Sequence, residues 1–139
     1  MLNWQSEIEK FAPELRVLAV MGTASERAAQ FAEMEKYDVV ITSYSLIARD
    51  FAEYQEHEFR YEFLDEAQYI KNSSTQTAKA VKSVNSRCRF ALTGTPVETW
   101  YIRSGMPILR CFYYLFLKLP WAAPVNLFKS LGEIAVVVK

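Results

Sequence analysis

Two adjacent acids at the end of an apolar run are the residues of this chain best suited to chemistry. Asp65 and Glu66 directly follow Phe63 and Leu64. One carboxylate at such a position can hold Mg²⁺ through water, and its neighbour can orient and deprotonate an attacking water. The pair therefore predicts metal-assisted hydrolysis, with Asp65 as a water-mediated magnesium ligand and Glu66 as the base.

A second polar group ends another apolar segment further along the chain. Thr93-Gly94-Thr95 begins 28 positions after Asp65 and offers two hydroxyls beside a glycine. Because ligands bind at the carboxyl ends of strands in open α/β sheets, we expect both groups at one sheet edge. Each group has a simpler structural interpretation: the acids would cap the next turn, and Thr-Gly-Thr-Pro favours a turn by itself.

Strands and helices are predicted to alternate up to residue 98. A helix capped by Ser25 should follow the first strand, and Trp4 is expected to be a core residue of the opening helix. The alternation predicts an α/β fold with a parallel sheet and right-handed crossovers. The predicted strands are at about 16–21, 38–43, 59–64 and 89–93, and the predicted helices are 4–11, 25–34, 45–51 and 75–83.

Composition limits the class of protein. The chain has 139 residues, 51% of them hydrophobic, so one ordinary domain with a substantial core is expected. Its 16 basic and 16 acidic residues balance, so any contact with nucleic acid must be local. The two cysteines, Cys88 and Cys111, fit a reducing cytoplasm, and the N-terminal residues do not resemble a secretory signal.

The C-terminal segment from Thr99 onward follows a different pattern. Residues 99–139 show no clear amphipathic face and predict an irregular apolar tail, with Ile134–Val138 as an isolated strand-like run. Residues 106–128 are strongly apolar, but Arg110, Lys118, Pro120 and Pro124 interrupt them, so no membrane span is expected. We interpret Thr99 as the site of a frame change, against the alternative of a divergent tail that packs normally. A tail without complementary pockets should promote self-association.

Four ordered motifs carry a resemblance to a known family. Asp65-Glu66-Ala67-Gln68 and Leu92–Glu98 look like motifs II and III of the superfamily-two helicases. More narrowly, they resemble the SWI/SNF-type DNA translocases, especially their bacterial members. The segment Asp38–Tyr44 is similar to the strand of motif Ib, and Asn3–Phe11 looks like the helix after motif Ia. The resemblance covers residues 3–98.

The resemblance implies a fold, a set of cofactors and a set of roles. Residues 1–98 would be the back half of a RecA-like ATP-binding lobe that uses ATP and Mg²⁺ on double-stranded DNA. A cytoplasmic protein, nucleoid-associated when bound to DNA, is expected. The implied roles are hydrolysis for Asp65, Glu66 and Gln68, coupling for Thr93, Gly94 and Thr95, and DNA contact for Thr42, Ser43 and Lys71. For Thr42 and Ser43, capping of the next helix is an equal alternative, and Lys71 is equally well explained as a solvated lysine.

The resemblance also implies parts that this sequence does not show. None of its four glycines lies in a Gly-x-x-x-x-Gly-Lys-Ser/Thr frame, and a second lobe with an arginine finger is absent. The 139 residues alone are therefore expected not to turn over ATP. A catalytically inactive remnant or a protein-interaction module is the main alternative. An intact small metal hydrolase is disfavoured, because no cluster of His, Asp and Glu supplies further ligands.

Overall fold

The computed structural model describes residues 2–91 and 134–138, and a five-stranded sheet forms its centre. The spatial order of the strands is β1-β2-β5-β3-β4. The strands are β1 (Val17–Ala19), β2 (Val39–Ser43), β3 (Phe59–Leu64), β4 (Ser86–Ala91) and β5 (Ile134–Val138). The four strands predicted from the alternation are confirmed, and residues 92 and 93 of the fourth lie outside the described residues.

Within the described residues, five helices connect and flank these strands. Short 3₁₀ turns at Met34–Lys36 and Ala67–Ile70 supplement them. The predicted helix over 45–51 is instead two short helices that meet at Asp50. The helices are α1 (Leu2–Phe11), α2 (Ala24–Ala32), α3 (Tyr44–Arg49), α4 (Phe51–Gln55) and α5 (Gln76–Lys82).

Helix α2 begins earlier than predicted, because Thr23 and not Ser25 is its N-cap. The Thr23 hydroxyl accepts a hydrogen bond from the Glu26 backbone N–H, and the Glu26 carboxylate accepts one from the Thr23 N–H at 2.6 Å. This reciprocal capping box satisfies two backbone donors that the first turn leaves free. Gly22 enters the turn at φ 96°, a left-handed conformation in which a Cβ would lie 2.5 Å from the Glu26 carboxylate.

The sheet is mixed, so the prediction of a parallel sheet is wrong in one strand. β1 and β2 pair in parallel, as do β3 and β4. β5 lies between β2 and β3 and is antiparallel to both. The run Ile134–Val138 was expected to be isolated in an irregular tail. It instead satisfies the hydrogen-bonding edges of both neighbours, so the tail prediction is wrong for these five residues, and residues 99–133 lie outside the description.

Both faces of the sheet are covered near its centre, which explains the continuous apolar sequence of β2. Val40 faces the main core together with the buried Tyr44 and Ile47. Val39 and Ile41 face the opposite side, where α1 packs on them. Within the described residues, no helix is long and apolar enough to cross a membrane.

Candidate active site at the ends of strands β2 and β3

The carboxyl ends of β2 and β3 lie at the same edge of the sheet. Each strand is antiparallel to β5, so the two run in the same direction. Tyr44, the first residue after β2, is fully buried and its hydroxyl donates a 2.5 Å hydrogen bond to the backbone carbonyl of Asp65, the first residue after β3. This bond joins the two strand ends, so Thr42, Ser43, Asp65 and Glu66 lie at one edge of the sheet.

Asp65 is buried, with 5% of its surface exposed, and both of its carboxylate oxygens accept hydrogen bonds. The indole Nε1 of Trp4 lies 3.1 Å from Oδ2, and the backbone N–H of Glu66 lies 3.0 Å from Oδ1. Burial raises the pKa of Asp65, while these two donors act against that rise because they stabilise the ionised form. The carboxylate is therefore held in one orientation beneath the sheet edge.

Glu66 adopts a backbone conformation that is rare for its residue type. Its φ of 51° and ψ of 45° lie in the left-handed region, which costs a non-glycine residue about 1–2 kcal/mol. Such strain clusters at functional sites, where surrounding structure holds it in place. Here the Gln68 side-chain amide donates to the Glu66 carboxylate, and the Tyr69 backbone N–H donates to the Glu66 carbonyl at 3.0 Å.

The 3₁₀ turn after the acids is anchored to the core at two points. Ala67 and Ile70 are buried, whereas Tyr69 between them is 59% exposed. Lys71 follows the turn and is exposed to solvent. The turn therefore directs the Gln68 side chain back towards Glu66.

Thr42 and Ser43 differ in their access to solvent. The Thr42 side chain is fully buried in the core, next to Tyr54. Ser43 is half-buried, and its hydroxyl accepts a 3.3 Å hydrogen bond from the Leu46 backbone N–H, which caps α3. The capping alternative is thus present for Ser43, and Ser43 is the member of the pair whose side chain reaches solvent.

The donor set suits a hydrated cation and not a closed protein cage. In the part of the chain that the structure describes, no three His, Cys, Asp or Glu side chains come together as a metal site. Mg²⁺ typically keeps several waters and uses one or two carboxylates, which Asp65 and Glu66 can supply. Thr93, Gly94 and Thr95 lie outside the described residues, so their predicted coupling role stays a prediction.

Sequence reasoning missed two residues of this corner. Trp4 was expected only in the core, yet its indole N–H reaches the Asp65 carboxylate. Tyr44 received no role, although it directly follows the predicted strand end at Ser43. A buried phenol or indole usually finds a hydrogen-bond partner, and that tendency was the available signal.

Comparison with known proteins places this geometry in a family. Residues 1–106 match the model of the SNF2-related domain. The TATA-binding protein-associated factor mot1 of Schizosaccharomyces pombe is 42% identical over 96 residues, which are 69% of this chain and 5% of that protein. An uncharacterised ATP-dependent helicase of Mycoplasma genitalium is 37% identical over 98 residues, 70% of this chain and 9% of the relative.

A solved structure agrees with both the sequence match and the fold. The SWI2/SNF2 ATPase core of Sulfolobus solfataricus, in complex with double-stranded DNA, is 41% identical with a TM-score of 0.63. The match covers 72% of this chain and 20% of that chain, so our protein spans only part of the N-terminal ATPase lobe. Eukaryotic, bacterial and archaeal relatives all match, and the bacterial subtype stays a prediction. By the family match over residues 1–106, the chain belongs to the SNF2-related domain family of helicase-like ATPases.

Proposed function

We propose that this chain supplies the hydrolytic acids of an ATP-dependent DNA translocase of the SWI/SNF type. The observation that carries the proposal is the arrangement of Asp65 and Glu66 at the end of β3, tied to the end of β2 by the Tyr44 hydroxyl. In open α/β sheets, ligands bind outside such strand ends. The chain spans less than a tenth of the mot1 and Mycoplasma relatives and a fifth of the archaeal ATPase core, so the activity would require the rest of a longer protein.

Each residue of the corner has a definite task in this proposal. Asp65 holds the waters of a bound Mg²⁺, which neutralises charge on the phosphates of ATP. Glu66 orients the attacking water and takes its proton. Gln68 donates a hydrogen bond to the Glu66 carboxylate and so holds that side chain in place. Near the γ-phosphate, it would also link nucleotide binding to DNA binding.

DNA contact is proposed for the same edge of the sheet. The archaeal neighbour was solved with double-stranded DNA, and in this chain Ser43 is half-buried and Lys71 is exposed to solvent. A hydroxyl and an ammonium group position a phosphate backbone without reading bases. Thr42 would contribute through its backbone, because its side chain is buried.

The test joins this chain to the upstream and second-lobe segments of the archaeal ATPase core. The joined protein should hydrolyse ATP faster with DNA present, and Glu66→Gln should lower the rate by about 100-fold or more while ATP still binds. Glu53→Gln alters an exposed acid of α4 and is the matched control, with an unchanged rate expected. Undiminished hydrolysis in Glu66→Gln would contradict the proposed role.

A second candidate is a non-catalytic interaction module, and one observation favours it. Ile134–Val138 pairs with both central strands, so the end of the tail fits this domain. Limited proteolysis that leaves β5 attached and protected, with a monomeric chain in solution, would support the interaction module. Early cleavage before β5, together with self-association, would instead support a catalytically inactive remnant with a shifted reading frame. The cytoplasmic location and association through the tail stay predictions.

A further inference from the structure

The contact between Trp4 and Asp65 joins two parts of the chain that are 61 residues apart. The indole N–H of Trp4 points to Oδ2 at 3.1 Å, from the first turn of α1. The other carboxylate oxygen is occupied by the N–H of the adjacent residue, Glu66. Of the two side-chain oxygens, Oδ2 is therefore the one held by a distant element.

The chemistry of an indole decides what this contact can do. Trp is a donor only, so it cannot ligate a cation or accept a proton from Asp65. The terminal torsion of an aspartate has a broad minimum, so the plane of an unrestrained carboxylate varies. A single N–H on Oδ2 fixes that plane and leaves further lone pairs for the waters of a cation.

The ring of Trp4 is itself fixed by packing. It contacts the cluster around Val39 and Ile41 on the face of the sheet that α1 covers. Ile8, one turn later on α1, packs against the same cluster but makes no hydrogen bond to Asp65 among the described contacts. The position of α1 on the sheet thus determines where the indole N–H points.

We propose that Trp4 is a positioning residue, whose indole N–H orients the Asp65 carboxylate for a hydrated divalent cation and thereby links helix α1 to the metal site. The inference rests on the proposed function, because it takes Asp65 as the residue that holds the cation. It adds a distinct claim, that an indole N–H carried by α1 contributes to the affinity of the metal site.

Manganese serves as the probe, because its binding is measurable on the full 139-residue chain without turnover. Titration followed by electron paramagnetic resonance gives the dissociation constant for the wild type, Trp4→Phe, Ile8→Ala and Asp65→Asn. Trp4→Phe keeps an aromatic ring and removes the N–H, so we expect binding to weaken about 3- to 10-fold. Ile8→Ala removes packing from the same helix face and should change binding less than about 2-fold.

A second readout uses the three tryptophans labelled with ¹⁵N. The indole resonance that Trp4→Phe removes is that of Trp4, and Mn²⁺ should broaden it in the wild type but not in Asp65→Asn. Trp100→Phe and Trp121→Phe identify the other two indole resonances, so the measurement can be made even if Trp4→Phe fails to fold. An unaffected Trp4 resonance would overturn the proposal.

The remaining outcomes separate this inference from the function on which it rests. Equal Mn²⁺ affinity in Asp65→Asn and wild type would overturn the metal site and the role of Trp4 together. Weakened binding in Asp65→Asn with wild-type affinity in Trp4→Phe would overturn only the role of Trp4. Equal losses in Ile8→Ala and Trp4→Phe would assign the effect to helix packing and overturn it as well.

Discussion

Strands β3 and β5 are neighbours in the sheet, although they lie far apart in the sequence. β3 precedes both of its partners in sequence, is followed at once by both acids, and pairs in parallel with β4. β5 follows β4 only after residues 92–133, contains none of the proposed site residues, and runs antiparallel. One strand presents the chemistry, while the other joins the halves of the sheet.

The residues that form the site are therefore distinct from the strand that aligns it. The acids depend on a short local sequence, a strand end followed by a strained turn. The alignment of the β2 and β3 ends depends on β5, because in the described residues β2 and β3 pair with β5 and not with each other. The Tyr44 bond to Asp65 is a second, smaller tie between the halves.

The largest effect is expected from a charge placed in β5. Val137 is fully buried between β2 and β3, so Val137→Asp should lower the free energy of unfolding by about 4 kcal/mol or more. Val137→Ala, which only shortens the side chain, should cost about 2 kcal/mol. Urea unfolding followed by circular dichroism measures both, and wild-type stability in Val137→Asp would show that β5 does not close the sheet.

A smaller loss is expected at the outer side of β3, where Glu62 is buried against Arg89. The Arg89 guanidinium donates to the Glu62 carboxylate and, at 2.8 Å, to the Val84 carbonyl. Arg89→Met leaves the acid uncompensated and should cost about 3 kcal/mol near neutral pH. Arg87→Met, which removes only an exposed ion pair with Glu58, should leave stability unchanged within error.

The stability of the Arg89→Met variant should depend on pH. Burial raises the pKa of Glu62, and Arg89 acts against that rise. In Arg89→Met the folded state holds the Glu62 proton more tightly than the unfolded state, so stability falls as pH rises above the unfolded value near 4.5. The variant should therefore be closer to wild type at pH 5 than at pH 8, and an equal deficit at both would contradict this account.

The hydrogen bond between the ends of β2 and β3 should contribute less to stability than either the burial of Val137 or the pairing of Glu62 with Arg89. Tyr44→Phe removes the hydroxyl that donates to the Asp65 carbonyl and should cost about 1 kcal/mol. It should also shift the ¹⁵N amide resonance of Glu66, whose peptide bond includes that carbonyl. Tyr69→Phe, at an exposed position on the same turn, is the control and should change neither quantity.

The smallest effect is expected far from the site, where Arg16 and Asp38 connect the starts of β1 and β2. Hydrogen bonds from the Arg16 side chain and backbone lower the pKa of Asp38 to about 2. Its contribution is present above the unfolded value of 3.8 and is lost as pH falls towards 2. The melting temperature of Asp38→Asn should lie slightly below wild type at pH 7 and converge at pH 2, whereas Glu33→Gln should match wild type throughout.

Local signals were sufficient to predict much of the fold. The β-branched run of β2 and the apolar run before Asp65 identified two central strands, and Pro13 marked the region in which α1 ends. Asp65 and Glu66 directly follow β3, as the apolar run before them indicated. These features depend on periodicity over a few residues, which a single sequence displays.

The pairing of strands that are distant in sequence could not be predicted in the same way. Nothing in Ile134–Val138 specifies that it enters the sheet between β2 and β3, because any apolar β-branched run satisfies a strand edge equally well in sequence terms. The Trp4 contact to Asp65 likewise depends on how α1 crosses the sheet. The Ser25 cap was wrong for a local reason, since Glu26 completes a capping box only with Thr23.

We propose that this chain carries the hydrolytic acids of a motor lobe. The glycine loop that binds the phosphates of ATP in such a lobe is not found among its 139 residues. Titration calorimetry of the 139-residue chain with Mg-ATP tests this claim most directly. Most phosphate contacts in this architecture come from the glycine loop and its lysine, so we predict a dissociation constant above about 1 mM. A low-micromolar constant would contradict the claim, because it would require a complete phosphate site within these residues.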